Sequence, residues 1–437
     1  MSNSTTPVAP VNQLERLTIL DSLRGIAILG ILLMNIPGFG LPPPVYGDPS
    51  VWNEIGTVNF DIWYFIEMTV AGTQRALFSI LFGAGIILFI GKKENSLGGL
   101  MPAEYFFRRQ LWLLVFGLFN AFVLLWFWDI LFQYAVCGMI LFAFRRVSPK
   151  ALIMAAIVCL FFQMARDNVD FNRNKDVIVT GEEIATRDTT KIKLTVDEKE
   201  ALGEMKRFKE KTTLEAKKKK AETSVKKMTG DYATLYKYQS QRSYDDEIDY
   251  TYNGLWDVLI FMFLGMAFFK NGIILGTADI KIYWLLCLGG LVVGGFLTWL
   301  RLQQRIDVNF NSYELVKNTG FELYELARSI RSVGIFGLIM LMYKSGWFKW
   351  LFALLRPVGQ MAFTNYLTQS LFMGLFFYGI GLGMFGKLQR YELYFIVGVV
   401  WVVQIIWSHI WLRYFLFGPL EWTWRSLTYW KIQPMKR

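Results

Sequence analysis

The sequence predicts an all-α membrane protein, a bundle of about ten transmembrane helices with a broken second segment and a charged extracytoplasmic helical insert. Three observations predict this fold class. The chain has 437 residues, of which 54% are hydrophobic and 17% aromatic. The apolar residues are gathered in runs of about twenty, the length that crosses a bilayer as a helix. One segment, residues 166–250, interrupts the pattern with 19 basic and 18 acidic residues.

In chain order, the predicted spans are residues 17–37, 60–91, 105–127, 129–145, 150–166, 254–270, 282–301, 328–344, 359–379 and 392–414. The second is too long for one straight crossing, because its 32 residues would reach about 48 Å against a hydrocarbon core of about 30 Å. A break is predicted at residues 72–75, Gly-Thr-Gln-Arg.

Basic residues predict the orientation. If the second segment crosses once, the short loops with Lys92, Lys93, Arg108 and Arg109, and with Arg145, Arg146 and Lys150, lie on one side. The positive-inside rule makes that side the cytoplasm and places both termini there. No cleavable signal peptide is expected before the first apolar helix, which is predicted to remain as a signal anchor. The expected location is a bacterial inner membrane.

The insert divides the chain into three parts: N-terminal spans in residues 1–165, the insert in 166–250, and C-terminal spans with an interfacial tail in 251–437. Span parity places the insert outside, and residues 199–227 are predicted to form a highly charged helix. A solvated insertion, dispensable for folding of the membrane core, is favoured over a lid or a partner-binding arm.

Composition excludes several functions. Cys137, Cys159 and Cys287 all lie in apolar runs, so neither disulfides nor a metal site are expected. A single histidine rules out a His-rich metal site. The net charge of +11 is attributed to membrane orientation and not to nucleic acid. The expected partners are the lipid bilayer and a second copy of the chain in a homodimer.

The first span carries the most conspicuous polar residues. Asp21 and Arg24 are three residues apart on a helix and share a face, so they are predicted to interact with each other or with one shared polar partner inside the bundle. Asn35 follows eleven residues after Arg24 and returns to that face about 16 Å further along. Ionisable residues inside a membrane span mark a functional site by default.

Further polar residues have alternative interpretations. Arg75, next to Ser79, either holds an anionic group or forms a structural tie with Asp61 or Glu67. Residues 322–331 contain Glu322, Glu325, Arg328 and Arg331 at three-residue steps. An ion-pair ladder at the water interface is favoured over a catalytic acid pair.

The last two spans contain Asn365, Gln369 and His409. The two amides are expected to hydrogen-bond neighbouring helices, with a substrate path as the alternative. The histidine is more often a packed, hydrogen-bonded group than a general base. In the tail, Glu421 and Arg425 lie one turn apart among tryptophans and are interpreted as an interfacial anchor.

Several blocks together resemble the YeiB-like family of bacterial inner-membrane proteins. They are residues 20–25 running to Asn35, residues 75–85, residues 264–267, Thr364-Asn365-Tyr366 with Gln369-Ser370, and residues 418–422 with Arg425. The blocks occur in this order over nearly the whole chain except the insert.

The opening helix also resembles that of transmembrane acyltransferases, including the acyltransferase-3 proteins and heparan-α-glucosaminide N-acetyltransferase. In the acyltransferase-3 pattern an arginine is followed eleven residues later by a catalytic histidine. Arg24 matches the arginine, whereas Asn35 stands at the histidine position. The heparan enzyme has its histidine in the following loop; here that loop has none, and Asp48 is its nearest titratable group.

The resemblance implies a transmembrane acyltransferase-like protein that passes an acyl group from cytoplasmic acyl-CoA to an extracytoplasmic glycan, lipid or small molecule. No metal is expected. The alternatives are a non-enzymatic transporter or lipid-binding membrane protein, and a scaffold. The assigned residues are Asn35, Asp48 and Asp61 for catalysis, Asp21, Arg24, Arg75 and His409 for the donor, and Ser79, Asn365, Gln369 and Arg328 for the acceptor.

Overall fold

The computed structural model describes residues 18–96, 99–187 and 194–437, and these residues form an all-helical fold. The predicted polar start of the chain and the cytoplasmic N-terminus lie outside the described residues. The helices are α1 (Thr18–Gly40), α2 (Pro43–Gly47), α3 (Val58–Thr69), α4 (Thr73–Ser96), α5 (Met101–Phe122), α6 (Leu131–Leu141), α7 (Pro149–Ala185), α8 (Val196–Thr212), α9 (Leu214–Met228), α10 (Tyr232–Asp245), α11 (Thr251–Lys270), α12 (Ile280–Asp307), α13 (Ser312–Asn318), α14 (Tyr324–Ser345), α15 (Lys349–Gln360), α16 (Ala362–Phe377), α17 (Arg390–Tyr414) and α18 (Pro419–Tyr429).

Helix α1 lies at the centre of the bundle and contacts α4, α15, α16 and α17. Its contact with α15 is unusually close because glycines face each other's backbone. A Cβ atom on Gly25 would lie 2.1 Å from the carbonyl oxygen of Leu355, and one on Gly359 would lie 1.7 Å from that of Asp21. Small residues permit this approach between helices, and it fixes the first turns of α1 against α15.

The second predicted span is broken where the sequence indicated. Helix α3 ends at Thr69 and α4 begins at Thr73. The intervening Gly72 has φ +71°, a conformation that favours glycine. Arg331 donates hydrogen bonds to carbonyl oxygens at the end of α3 and in the break, those of Glu67, Met68 and Ala71. These bonds satisfy carbonyl groups that a helix end leaves unpaired.

Within the described residues, six segments are long and apolar enough to cross a membrane: Thr18–Gly40, Val58–Glu94, Pro149–Ala185, Ile280–Asp307, Tyr324–Ser345 and Arg390–Tyr414. This fits a multi-pass membrane protein. The predicted count of about ten is not confirmed. The remaining predicted spans coincide with α5, α6, α11 and α16, of which α6 and α16, with 11 and 16 residues, are shorter than a simple crossing requires.

The insert packs on the bundle and does not form a detached arm. Helix α7 continues through residue 166 to Ala185, and the single helix predicted for residues 199–227 is divided at Thr213 into α8 and α9. The side chains of Met228 and Leu235 are buried in one apolar cluster with Phe39 of α1. A wholly solvated insertion was therefore the wrong expectation. Removing the insert would expose this cluster, which argues against the expected dispensability for folding.

Candidate functional site

A cavity of about 270 Å³ lies between α1, α4, α5, α6, α16 and α18. It extends along α4, whose lining residues reach from Phe78 to Lys93. These residues are 15 positions apart, or about 22 Å along a helix. The cavity is therefore elongated, with two chemically different ends. We call the end at Lys93 the basic end and the end at Phe78 the deep end.

Charged residues converge at the basic end. Its five cationic lining residues are Arg24, Lys92, Lys93, Arg109 and Arg425, and the cavity has two acidic lining residues, Asp21 and Glu421. Arg24 and Asp21 form the predicted ion pair, with Nη1 of the arginine 3.2 Å from Oδ1 of the aspartate. The excess of cations over carboxylates makes this end suited to an anionic group.

Aromatic rings hold part of this charge in place. The guanidinium of Arg109 lies 3.5 Å from the ring centroid of Trp424, and the amine of Lys93 lies 4.8 Å from that of Tyr429. The Trp424 indole nitrogen donates to the carbonyl oxygen of Arg109 at 2.9 Å. These contacts fix α18 against α5. The tail therefore has a structural role in addition to the membrane anchoring that was predicted for it.

Glu421 stabilises the beginning of α16. Its Oε1 accepts hydrogen bonds from the backbone nitrogens of Phe363 and Thr364 at 2.7 and 3.0 Å, and its Oε2 accepts one from the Thr364 hydroxyl at 2.6 Å. Burial raises the pKa of Glu421, whereas these hydrogen bonds lower it. With its oxygens engaged in this way, Glu421 is a helix cap at the cavity wall.

The deep end is apolar and aromatic. It is lined by Phe78, Phe82, Ile130, Tyr134 and Tyr366. The hydroxyl of Tyr134 donates to the carbonyl oxygen of Arg75 at 3.0 Å and lies 2.6 Å from the Ser79 hydroxyl. The hydroxyl of Tyr366 accepts from the Ile130 nitrogen at 3.3 Å and donates to Oδ1 of Asp129 at 3.4 Å.

Three residues assigned to catalysis do not line this cavity. Asp48 is 7% exposed, and its Oδ2 accepts a hydrogen bond from the Lys217 ammonium of the insert at 2.6 Å. Asp61 is exposed on α3, and Asn35 is half-buried near the far end of α1. Among the described residues, no hydrogen bond joins Asn35, Asp48 and Asp61 to one another or to Arg24.

Arg75 does not pair with either of the two acidic residues that were suggested as its structural partners. It forms an ion pair with Asp257 of α11, not with Asp61 or Glu67. The second carboxylate oxygen of Asp257 pairs with Arg328, which also pairs with Glu325 at 2.7 Å.

This group is a buried tie between α4, α11 and α14. Arg328 is 1% exposed, and Glu325 and Arg331 are also buried. The prediction of an ion-pair ladder at the water interface is therefore wrong in its location. Removing one partner from such a buried group would leave an uncompensated charge, so these residues depend on one another.

The polar residues of the last spans hold helices together. Asn365 donates to Ser408 at 3.1 Å, and Gln369 donates to Gln404 at 3.0 Å, so α16 is tied to α17. Nδ1 of His409 lies 2.8 Å from the carbonyl oxygen of Ile405, one turn back in its own helix. None of the three assigned residues lines the cavity. The contacts agree with the structural role favoured for the two amides.

Sequence reasoning missed several cavity residues. Lys92, Lys93 and Arg109 served only as markers of the cytoplasmic side, and Tyr366 was noted only within a motif. A signal was available: basic residues at the ends of several different apolar segments must meet where those ends converge. Nothing in the sequence reveals that Asp129 lies behind Tyr366, because 237 positions separate the two residues.

The fold and the cavity define the class of this protein as a multi-pass helical membrane protein with an amphiphilic internal cavity. Residues 268–431 match the model of a family described as "Protein of unknown function (DUF418)". The chain is 28% identical to "Uncharacterized protein YxaH" of Bacillus subtilis (strain 168), over 97% of this chain and 96% of that protein. It is also 28% identical to "Uncharacterized protein YeiB" of Escherichia coli (strain K12), over 95% and 97%. These similarities support the YeiB-like resemblance. No solved structure gives a significant match.

Proposed function

We propose that this protein is a transmembrane acyltransferase-like protein and that the cavity between α1, α4, α5 and α18 receives acyl-CoA. The observation that carries the proposal is the division of the cavity into a basic end with five cationic residues and an apolar, aromatic deep end. The basic end would face the cytoplasm of a bacterial cell, with both termini on that side, in agreement with the positive-inside rule.

The chemistry of coenzyme A fits this division. Its phosphates lie at one end of the molecule and its thioester at the end of a thin, extended arm. Arg24, Arg109 and Arg425 would bind the phosphates, since guanidinium groups bind phosphate oxygens in pairs. The arm and the acyl group would follow α4 toward Tyr134 and Tyr366.

The acceptor would be a glycan, a lipid or a small molecule that reaches the opposite side of the membrane. Asn35 remains the proposed residue on that side, because it is half-buried and lies near the far end of α1. Asp48 is held by Lys217, and Asp61 is exposed, so neither is proposed as the general base.

A second candidate is a non-enzymatic transporter or lipid-binding membrane protein with the same cavity. It is favoured by the engagement of both cavity carboxylates, Asp21 with Arg24 and Glu421 with the start of α16. Such a protein would bind an amphiphilic anion without breaking a bond in it. Release of free coenzyme A from acyl-CoA distinguishes the two candidates.

Titration calorimetry with acetyl-CoA on the purified full-length protein tests the proposal. We expect Arg24→Ala and Arg109→Ala each to weaken binding at least about tenfold, or about 1.4 kcal/mol. Arg108→Ala is the matched control, because Arg108 is the adjacent arginine of α5 but does not line the cavity and pairs with Glu104. His409→Ala should likewise leave binding largely intact. A folded protein that binds no acyl-CoA would refute the acyltransferase proposal and favour the second candidate.

A further inference from the structure

The deep end of the cavity contains a polar pair. The hydroxyl of Tyr366 lies 3.4 Å from Oδ1 of Asp129. Tyr366 lines the cavity, and Asp129 is 6% exposed and lies behind it. The other tyrosine at this end, Tyr134, hydrogen-bonds the hydroxyl of Ser79 and the carbonyl oxygen of Arg75.

The contacts of Asp129 stabilise its ionised form. Its Oδ2 accepts hydrogen bonds from the backbone nitrogens of Leu131 and Phe132 at 2.8 and 2.9 Å. Its Oδ1 accepts one from the Asn120 amide at 2.7 Å, in addition to that from Tyr366. All four partners are donors, and donors favour a carboxylate over a carboxylic acid. Asp129 can therefore accept a proton from the tyrosine.

We propose that Tyr366 and Asp129 are the proton-accepting pair for acyl transfer at the deep end of the cavity. Tyr366 is the catalytic residue, because it lines the space where the acyl group would lie. Asp129 is the positioning residue that orients the hydroxyl and receives its proton. This inference rests on the proposed function.

The step balances without any further reactant. The hydroxyl or amine of the acceptor attacks the thioester carbonyl carbon, so that a carbon–oxygen or carbon–nitrogen bond forms and the carbon–sulfur bond breaks. The acceptor's proton moves to the oxygen of Tyr366 while the tyrosine's own proton moves to Oδ1 of Asp129. The electron pair of the broken bond leaves on the sulfur. Asp129 returns its proton through Tyr366 to this sulfur, which departs as the thiol of coenzyme A.

This pair would supply the base that the sequence lacks at the position of Asn35. The single histidine does not supply it, because His409 bonds to its own helix and does not line the cavity. The two carboxylates that do line the cavity are engaged near its basic end. At the deep end, the hydroxyl of the lining residue Tyr366 contacts a carboxylate, that of Asp129.

Three variants separate a chemical role from a structural one. Tyr366→Phe removes the hydroxyl, and Asp129→Asn removes the proton acceptor. Asparagine still caps the start of α6, because Asn and Asp are about equally good caps. Tyr283→Phe is the matched control, since it removes a buried, hydrogen-bonded tyrosine hydroxyl that does not line the cavity.

The assay uses the purified full-length protein in detergent, acetyl-CoA as donor and hydroxylamine as a small amine acceptor. Release of free thiol gives the rate, and calorimetry gives the affinity for acetyl-CoA. We expect Tyr366→Phe and Asp129→Asn to lower the rate at least about tenfold while the affinity stays within about twofold. Tyr283→Phe should retain most of the rate, and Asp129→Glu should recover part of what Asp129→Asn loses.

Two results would overturn the inference and leave the donor site in place. One is an unchanged rate in Tyr366→Phe and Asp129→Asn. The other is acetyl-CoA binding by the parent without any thiol release above the buffer rate. Absence of acetyl-CoA binding to the folded parent is a different result, because it refutes the proposed function itself.

Discussion

At the scale of single residues, the ion pair at the basic end is unevenly buried. Asp21 is 3% exposed, whereas 31% of the Arg24 side chain is exposed. The carboxylate therefore depends on its partner more than the guanidinium does. A buried charge that loses its partner is costly, whereas removing both charges leaves none uncompensated.

We expect Arg24→Leu to destabilise the protein more than the double variant Asp21→Asn/Arg24→Leu. The expected difference is about 1–3 kcal/mol, reduced from the fully buried case because Arg24 is partly exposed. Thermal melting in detergent measures it. Equal melting of Arg24→Leu and the parent would mean that the pair faces water.

Glu247 is a second residue whose environment predicts a measurable effect. It lies in a short π-helical turn, Asp246–Tyr250, between α10 and α11 and is 5% exposed. Burial raises its pKa, and together with the smaller effect of the charges of Asp129 and Asp246 it brings the pKa to about 9. The folded protein then holds a proton that the unfolded chain releases near pH 4.5. Stability is lost as the pH rises from that value toward about 9.

Glu247→Gln should remove this pH dependence. We expect the variant and the parent to melt alike at about pH 4.5 and the variant to be more stable by about 2 kcal/mol near pH 8. Glu222→Gln, an exposed position in the same insert, is the control and should follow the parent. A constant difference between Glu247→Gln and the parent at all pH values would contradict the burial of an ionisable carboxyl.

Of the ion pairs in this structure, some could be predicted from the sequence and others could not. The pairing of Asp21 with Arg24 was predictable because three-residue spacing places both on one face of a helix. The pairing of Arg75 with Asp257 was not, because 182 positions separate them and their contact depends on the packing of α4 on α11. Local periodicity determines which face of a helix is polar, whereas tertiary packing determines what that face meets.

At the scale of elements, the insert is where expectation and structure differ most. Its charge suggested a solvated arm, since Lys and Glu dominate α8 and α9. The sparse apolar positions of α9 and α10 nevertheless point at the bundle, and Met228 and Leu235 are fully buried. A helix needs only a narrow apolar stripe to dock, so composition alone underestimates its contacts.

Two adjacent positions in α9 test both the side and the packing of the insert. Thr223 is exposed and Ser224 is 2% exposed. We expect Thr223→Cys to react with a membrane-impermeant thiol reagent in intact cells, because the predicted span parity implies an insert on the outer side. Ser224→Cys should react much more slowly, since this position is buried and lies against Tyr238 of α10. Labelling of Thr223→Cys only after lysis would reverse the predicted orientation, and equal labelling of both positions would mean that α9 is not docked.

At the scale of the whole molecule, the cavity is formed by helices that are far apart in the sequence. Its lining residues come from α1 at one end of the sequence and α18 at the other. The same cavity needs both, because Arg24 and Arg425 approach its basic end from opposite termini of the described chain. The sequence could therefore indicate each basic residue, but not that these residues line the same cavity.

The positive charge at the basic end of the cavity predicts how acetyl-CoA binding depends on salt. If the basic end binds the phosphates of coenzyme A, acetyl-CoA affinity should fall at least about tenfold when ionic strength rises from about 0.1 M to about 1 M. Over this range the Debye length shortens from about 10 to about 3 Å.

Acetylpantetheine, which lacks the nucleotide phosphates, should bind weakly and with little salt dependence. Arg109→Ala should show a shallower salt dependence than the parent, because one of the five lining cations is removed. Calorimetry over a salt series measures all three. Acetyl-CoA affinity that does not change with salt would mean that the phosphates bind elsewhere, and the orientation of the donor in the cavity would have to be reversed.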